Sequence, residues 1–254
     1  MDEMDRLESM LCELDAYAET LDPESTTYWH YHRDRFAWIG RLFHELVAEF
    51  RWHKQPIERV LDIGNSYQTL LFNRLHPELR IDTLGWLCER YAPSGDSTHF
   101  DFDLNNSYTQ EKDSWPPMEG GYQIIAFLEV VEHLYTSPRV VFSFLRELMA
   151  DGGVLIVQTP NAAALKKRLR LLRGGNPYEL IREDRMNPGH FREYTVEELC
   201  HLGHESGLEV KDIHVTNFFI DGAWLDRTCD RLANYLPKTF RSGMTVVFRK
   251  QADA

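Results

Sequence analysis

The sequence has few cysteines and none in a paired spacing: Cys12, Cys88, Cys200 and Cys229 are scattered with no C-x-x-C among them. Neither a zinc site nor a disulfide framework is expected from that pattern, and no metal ligand set is read from the sequence; a reducing, cytoplasmic setting fits. No apolar run approaches the roughly 20 residues of a membrane span. The residues after Met1 are acidic and polar rather than basic and then apolar, so no export leader is expected. Positive charge is also scarce, with 28 Lys and Arg against 40 Asp and Glu and a net charge of -12. A surface of that sign repels phosphate backbones, which removes general electrostatic support for nucleic-acid binding. Internal repeats and low-complexity segments are absent.

What is present suffices for a folded α/β chain: 254 residues, 43% hydrophobic and 12% aromatic, the size of one large domain with appendages. Up to about residue 52 the pattern is helical. Leu7, Leu11, Leu14 and then Phe36, Ile39, Leu42, Phe43, Leu46 and Phe50 recur at three- and four-residue steps, and Pro56 closes the region. This predicts a helical extension over 1–56 and a second part over 57–254. From Arg59 onward short apolar runs alternate with helical patterns, the mark of a doubly wound, mostly parallel sheet. Seven strands are predicted, at 59–63, 80–84, 99–102, 122–128, 154–159, 209–216 and 244–249. The helix predicted over 137–149 ends at Asp151-Gly152-Gly153, read as a left-handed glycine C-cap. The stretch 161–194, with a basic helix and a loop rich in Gly, Pro and Asn, interrupts the alternation and reads as a cap insertion. A capping box, Thr195 to Glu198, reopens the pattern.

Two segments carry the chemistry. Val60-Leu61-Asp62-Ile63-Gly64 is a strand ending in an acid and a glycine ahead of a helix, a turn that presents backbone N–H groups at the first crevice of an open sheet. A purely structural role for Gly64 in a tight turn explains this segment equally well. The second segment runs from Tyr122 through Leu128-Glu129-Val130-Val131-Glu132-His133-Leu134 to Asp151-Gly152-Gly153 and Gln158-Thr159-Pro160-Asn161. Further on stands Gly189-His190-Phe191-Arg192-Glu193-Tyr194-Thr195. In these motifs, ordered over roughly 58–250, the chain resembles the class I S-adenosyl-L-methionine-dependent methyltransferases. The likeness is to the branch of methyltransferase domains that includes quinone-biosynthesis and sugar or O-antigen enzymes.

The resemblance implies a seven-stranded Rossmann-like sheet whose last strand is antiparallel, with S-adenosylmethionine as cofactor and S-adenosylhomocysteine as product. It places Asp62 and Gly64 beneath the methionine moiety, with Asn65, Ser66, Tyr67 and Gln68 in the cofactor-binding loop that follows. Asp103 and Leu104 match the segment near the adenine amine, and Leu128 and Glu129 match the lining from the fourth strand. A carboxylate suits such a site because adenine offers an amine donor and the sulfonium is cationic. The chain departs from the family pattern twice. Ser66 and Gln68 replace two glycines of the usual loop, and Gly85 stands where an acid normally holds the ribose, with Asp82 as the nearest substitute on the strand.

Further residues have two readings each. His133 suits a general base for a hydroxyl acceptor, or else Glu132 and His133 brace the start of the next helix; His190 is a substrate-facing or a structural residue. In the basic segment from Lys166 to Arg173, Leu165, Leu169 and Leu172 share one helical face. That segment suits contact with an anionic membrane or a phosphorylated acceptor, or else a solvated face over a core contact. Tyr28, Trp29, Tyr31, Phe36 and Trp38 form either a lid over an acceptor pocket or ordinary core. The expected activity is methyl transfer to a small-molecule, sugar or lipid-linked acceptor. The alternative is a methyltransferase-like scaffold that no longer binds cofactor. A dinucleotide dehydrogenase is a poorer third choice, since G-x-G-x-x-G is missing after the first strand.

Overall fold

The computed structural model describes residues 3–92, 95–184, 187–218 and 224–251. The chain divides into two compact units, residues 1–101 and 102–254. In the first, helices α1 (Glu3–Ala18) and α2 (Pro23–Trp52) precede β1 (Arg59–Ile63), α3 (Tyr67–Leu75), β2 (Arg80–Gly85) and β3 (His99–Asp101). Helix α2 starts where the local chemistry asks: Asp22 accepts a hydrogen bond from the Ser25 amide at 3.0 Å, and Pro23 fills the first helical position, where no amide is needed. The helical extension does not stand apart. Leu7, Leu11, Leu14, Trp29 and Phe36 share one buried cluster with Tyr67, Leu71 and Leu75 of α3. β1 pairs in parallel with β2, and β2 with β3.

The second unit contains β4 (Tyr122–Leu128), α4 (Pro138–Leu148), β5 (Met149–Pro160), α5 (Leu165–Leu172), α6 (Val196–Glu205), β6 (Leu208–Thr216), α7 (Trp224–Ala233) and β7 (Gly243–Lys250). β4 and β5 are parallel, whereas β7 runs antiparallel to both β5 and β6. The seven strands are ordered β3-β2-β1-β4-β5-β7-β6 in one sheet, the mostly parallel arrangement expected. β5 is buried from Gly153 to Pro160, as its continuous apolar run requires. Edge strand β6 turns Glu209, Lys211 and Asp212 to solvent, which discourages edge-to-edge pairing. The capping box at α6 forms as expected, with Thr195 and Glu198 bonded reciprocally.

One expectation is corrected here. Asp151-Gly152-Gly153 does not cap α4, which stops at Leu148 and is closed by the Met149 amide donating to the Arg146 and Leu145 carbonyls. The glycines belong to β5 instead. Gly152 has φ +73°, and a β-carbon on Gly153 would lie 2.8 Å from the Ala150 carbonyl oxygen. The pair therefore folds the start of the strand upon itself, and close backbone approach explains the second glycine. Between α5 and α6 the described residues contain no helix or named strand. This excursion is closed at its base by a bridge from Asn161 to Tyr194.

Candidate active site

In the first unit the loop after β1 is held by its own side chains. Gly64 has φ +74° and Gly85 φ +130°, and a β-carbon on Gly85 would come within 3.5 Å of the Gly64 nitrogen. The Gly64 amide donates to the Leu84 carbonyl at 2.8 Å. The carboxyl ends of β1 and β2 thus meet as bare backbone. Asn65 is committed on both sides, since Oδ1 accepts from the Cys88 amide at 3.0 Å and Nδ2 donates to the Cys88 carbonyl at 2.8 Å. Ser66 caps α3, with Thr69 completing the box. Gln68 is buried and folds back, its amide donating to the Gly64 carbonyl at 3.2 Å and to Asp62 at 3.4 Å. Tyr67 turns the other way. Fully buried, it packs 4.8 Å from Trp29, 4.9 Å from Tyr91 and 5.9 Å from Phe36, centroid to centroid. Its hydroxyl donates to the Ser25 carbonyl at 3.1 Å. Trp29 and Phe36 are therefore core residues. Tyr28 and Tyr31 remain exposed and Trp38 is half-buried.

Asp62 is fully buried, accepting from the Thr69 hydroxyl at 2.5 Å. Burial pushes its carboxyl up to about 7, against the pull of the Thr69 and Gln68 hydrogen bonds and the Arg35 guanidinium. A carboxyl raised by folding binds its proton more tightly in the folded chain than in the unfolded one. Its contribution to stability is thus fully present below about pH 4 and is lost as pH rises through about 7. Asp62→Asn removes that titration. Between about pH 4 and 7 the stability difference should move in the variant's favour by up to about 1.4 kcal/mol per pH unit. Denaturant unfolding of both proteins at pH 5 and pH 7 reads it, and a difference that stays constant would contradict a buried, protonated Asp62.

Asp82 does not stand in for the missing ribose acid. Its register partner is Leu61, mid-strand, and its carboxylate is spent on Arg80 at 2.9 Å, Arg59 at 3.6 Å and the Thr98 amide at 2.8 Å. It braces the sheet three residues short of the strand end. Gly85 ends β2 without a side chain, and exposed Trp86 and Leu87 follow it.

In the second unit Asp103 caps a 3-10 turn over Leu104–Asn106, accepting from the Asn105 amide at 2.9 Å, and Leu104 is buried. Leu128 ends β4, and Glu129 follows with φ +56°. A side chain other than glycine seldom adopts this left-handed conformation, which costs about 1–3 kcal/mol and concentrates at functional positions. The Glu129 amide donates to the Gln158 carbonyl at 2.8 Å, so the kink is fixed from β5. Glu132 and His133 do not brace α4, whose cap residue Ser137 makes no side-chain bond. They anchor the 189–192 loop instead: the Glu132 carbonyl receives the Phe191 amide at 2.8 Å, and His133 Nδ1 donates to the Gly189 carbonyl at 2.9 Å. His190 meets His133 with ring centroids 4.9 Å apart, and burial and the His133 ring bring its imidazole down to about 4.

Beside His190 lies a cleft of about 520 Å³, lined by Ala162, Tyr178, Ile181, His190, Phe191 and Glu193 among others. Helix α5 closes toward it differently from the expectation. Its buried residue is Lys167, which ion-pairs with Glu193, whereas Leu172 is 82% exposed and Leu165 and Leu169 only half-buried. Burial lowers the Lys167 ammonium, and the carboxylates of Glu132 and Glu129 oppose that.

The family model for the methyltransferase domain matches residues 28–213, well over half of the chain, from within α2 into β6. The chain belongs to the methyltransferase-domain family. It is accordingly a class I methyltransferase with S-adenosylmethionine as methyl donor. A search of curated proteins found no match. Among solved structures, a chain of the Haloferax volcanii complex that contains the Trm112 methyltransferase activator is similar, with TM-score 0.54 and 13% identity over 100% of this chain and 99% of that one. The 4+2 cyclase SpnF has TM-score 0.51 and 14% identity over 84% and 82% of the two chains. A Galdieria sulphuraria protein described as a sarcosine dimethylglycine methyltransferase has TM-score 0.50 and 12% identity over 83% and 86%. At such identities the likeness is one of fold.

This methyltransferase offers features that fit the cofactor. Gly64 and Gly85 bring no side chain to the ends of β1 and β2, and the side chains that replace the family's glycines are engaged locally, Ser66 as the cap of α3 and Gln68 on the Gly64 carbonyl and Asp62, while Tyr67 between them turns toward the helices. Sequence reasoning missed the left-handed Glu129 and the buried Lys167–Glu193 pair. A carboxylate three residues before Glu132-His133 was the one available hint of the first, and nothing in the leucine spacing of α5 pointed to the second.

Proposed function

We propose that this enzyme methylates a small-molecule, sugar or lipid-linked acceptor held in the cleft beside His190. The observation that carries the reading is the cleft itself: about 520 Å³, with apolar walls from Ile181 and Phe191 and polar groups from Tyr178, Glu179 and Glu193, the size and mixture of a small-ligand pocket. When bound, S-adenosylmethionine supplies an activated methyl group. In the first unit the proposed cofactor contacts are the Gly64 backbone with Asp62 near it; in the second unit they are Asp103 with Leu104 and Leu128 with Glu129. Asn65, Ser66 and Gln68 act by shaping the loop. His190, at the cleft wall, orients the acceptor, and His133 holds the loop that carries it. Position and exclusion of water then do most of the remaining catalysis. Incubating the protein with methyl-labelled cofactor and panels of sugars, quinols and lipid-linked glycans tests this. Label should enter one class of small acceptor, and transfer undiminished by Ile181→Glu would contradict the assignment of the cleft.

A cytoplasmic setting is part of this reading. Among the described residues no helix is long and apolar enough to cross a membrane, and the cysteines form no disulfide. Contact of α5 with an anionic bilayer surface is supported by exposed Arg168, Arg170 and Arg173 beside Leu171 and Leu172, 54% and 82% exposed. Co-sedimentation with vesicles containing phosphatidylserine should exceed that with neutral vesicles and fall in Leu172→Asp. Equal weak binding to both would remove the membrane contact.

A further inference from the structure

Two imidazoles and one carboxylate converge in the second unit. One ligand atom each from Glu132, His133 and His190 lies within 4.8 Å of the others. Their surroundings leave the ligand atoms ready. Glu132 is fully buried, with Oε2 accepting from the Thr159 hydroxyl at 2.8 Å and Oε1 directed to 3.9 Å from His133 Nε2. The Gly189 carbonyl takes the Nδ1 proton of His133 at 2.9 Å, leaving the lone pair on Nε2. Glu193 does the same for His190, whose Nδ1 lies 3.1 Å from its carboxylate, and Glu193 is itself held by Lys167. A carbonyl or carboxylate behind Nδ1 is the arrangement that fixes tautomer and ring direction in metal-binding histidines. His190 also lines the cleft, so the open side of the cluster faces where an acceptor would lie.

We propose that Glu132, His133 and His190 form a binding site for one divalent first-row transition-metal ion, whose remaining coordination positions take an oxygen of the acceptor. Two imidazoles and a carboxylate suit zinc, iron or cobalt rather than calcium or magnesium. At metal–ligand distances of about 2.0–2.2 Å the ligand atoms stand roughly 3.0–3.5 Å apart, so binding draws together atoms that now lie within 4.8 Å of one another, 3.9 Å between Glu132 and His133, by side-chain rotation. The inference deepens the proposed function and rests on it for the acceptor, which it narrows to an oxygen nucleophile. On the ion a hydroxyl loses its proton to water at lower pH than in solution. The oxygen then bonds to the methyl carbon while the sulfur–methyl bond breaks, and sulfur keeps the electron pair. The site departs from the expectation of no metal drawn from cysteine spacing, since none of its ligands is a cysteine.

The test is titration of chelator-treated full-length protein with cobalt(II), followed by visible absorption and calorimetry, alongside His133→Gln and His190→Ala, whose side chains are 34% and 25% exposed and tolerate replacement. One ion per chain is expected, with ligand-field bands, and at least tenfold weaker binding in each variant. Absence of saturable binding, or binding unchanged in both variants, overturns the site. S-adenosylhomocysteine affinity, read in the same samples without metal, should not change between the variants. No metal binding by the natural protein with its cofactor affinity intact rejects the ion and spares the methyltransferase reading, whereas metal binding without cofactor affinity does the reverse.

Discussion

Glu129→Gly is expected to bind S-adenosylmethionine at least tenfold more weakly than the natural protein while unfolding at the same temperature or higher. Both halves of that result come from one backbone angle. At φ +56° a glutamate is held in a conformation that glycine adopts freely, so the substitution relieves about 1 kcal/mol or more of strain. The offsetting entropy of glycine in the unfolded chain keeps the net gain small. The kink after β4, fixed by the Glu129 amide on the Gln158 carbonyl, maintains the strain and aims the carboxylate that is proposed to contact the cofactor. A carboxylate at such a point favours the cationic sulfonium or accepts from cofactor hydroxyls. Glu129→Gln separates charge from shape, since it keeps the strain and the reach. Unchanged affinity in both variants, with stability raised in the glycine form, would assign the angle to folding rather than binding.

Tyr67→Ala should cost about 3–5 kcal/mol of stability, the scale for emptying a fully buried aromatic site, which is a large share of what a domain possesses. The ring contacts Trp29, Tyr91 and Phe36, so its loss opens the seam between α2, α3 and the turn after β2 within the first unit. Tyr67→Phe keeps the ring and gives up the hydrogen bond to the Ser25 carbonyl, at about 1 kcal/mol. The informative comparison is cofactor affinity in this second variant. It should stay within twofold of the natural protein, because the phenol points into the core. A tenfold loss in a folded Tyr67→Phe protein would mean that the hydroxyl reaches the ligand. Thermal unfolding and calorimetry on the pair measure both effects.

These two residues also mark where the sequence could be read and where it could not. The seven strands and the antiparallel last one were legible because apolar runs and turn residues are local signals; strand ends moved by a residue or two, except at β5. That strand begins at Met149 because Gly152 and Gly153 fold its start, and a glycine pair after a helix looks the same in sequence whether it caps or kinks. Tyr67 was placed at the cofactor by position in the loop. Its true direction depends on Trp29 and Phe36, more than thirty residues earlier. The conformation of Glu129 has no compositional signature, since only glycine and asparagine advertise a left-handed residue. Helix α5 misled for a physical reason: leucine spacing implied a buried leucine face, but Glu193, arriving from a distant loop, buries Lys167 instead. The position of Asp82 near the end of β2 suggests a ribose ligand in sequence, but its register opposite Leu61 is set by pairing with β1, and Arg80, Arg59 and the Thr98 amide account for its carboxylate.

The account as a whole depends on an altered glycine loop that still admits the cofactor, with Tyr67 turned into the helices and Gln68 folded onto the Gly64 carbonyl and Asp62. Calorimetric titration of the purified chain with S-adenosylhomocysteine tests that directly. Saturable binding at one site per chain, weakened by Gly85→Val at the end of β2, is the predicted result. No heat of binding up to millimolar ligand, from a protein shown to be folded, would contradict it.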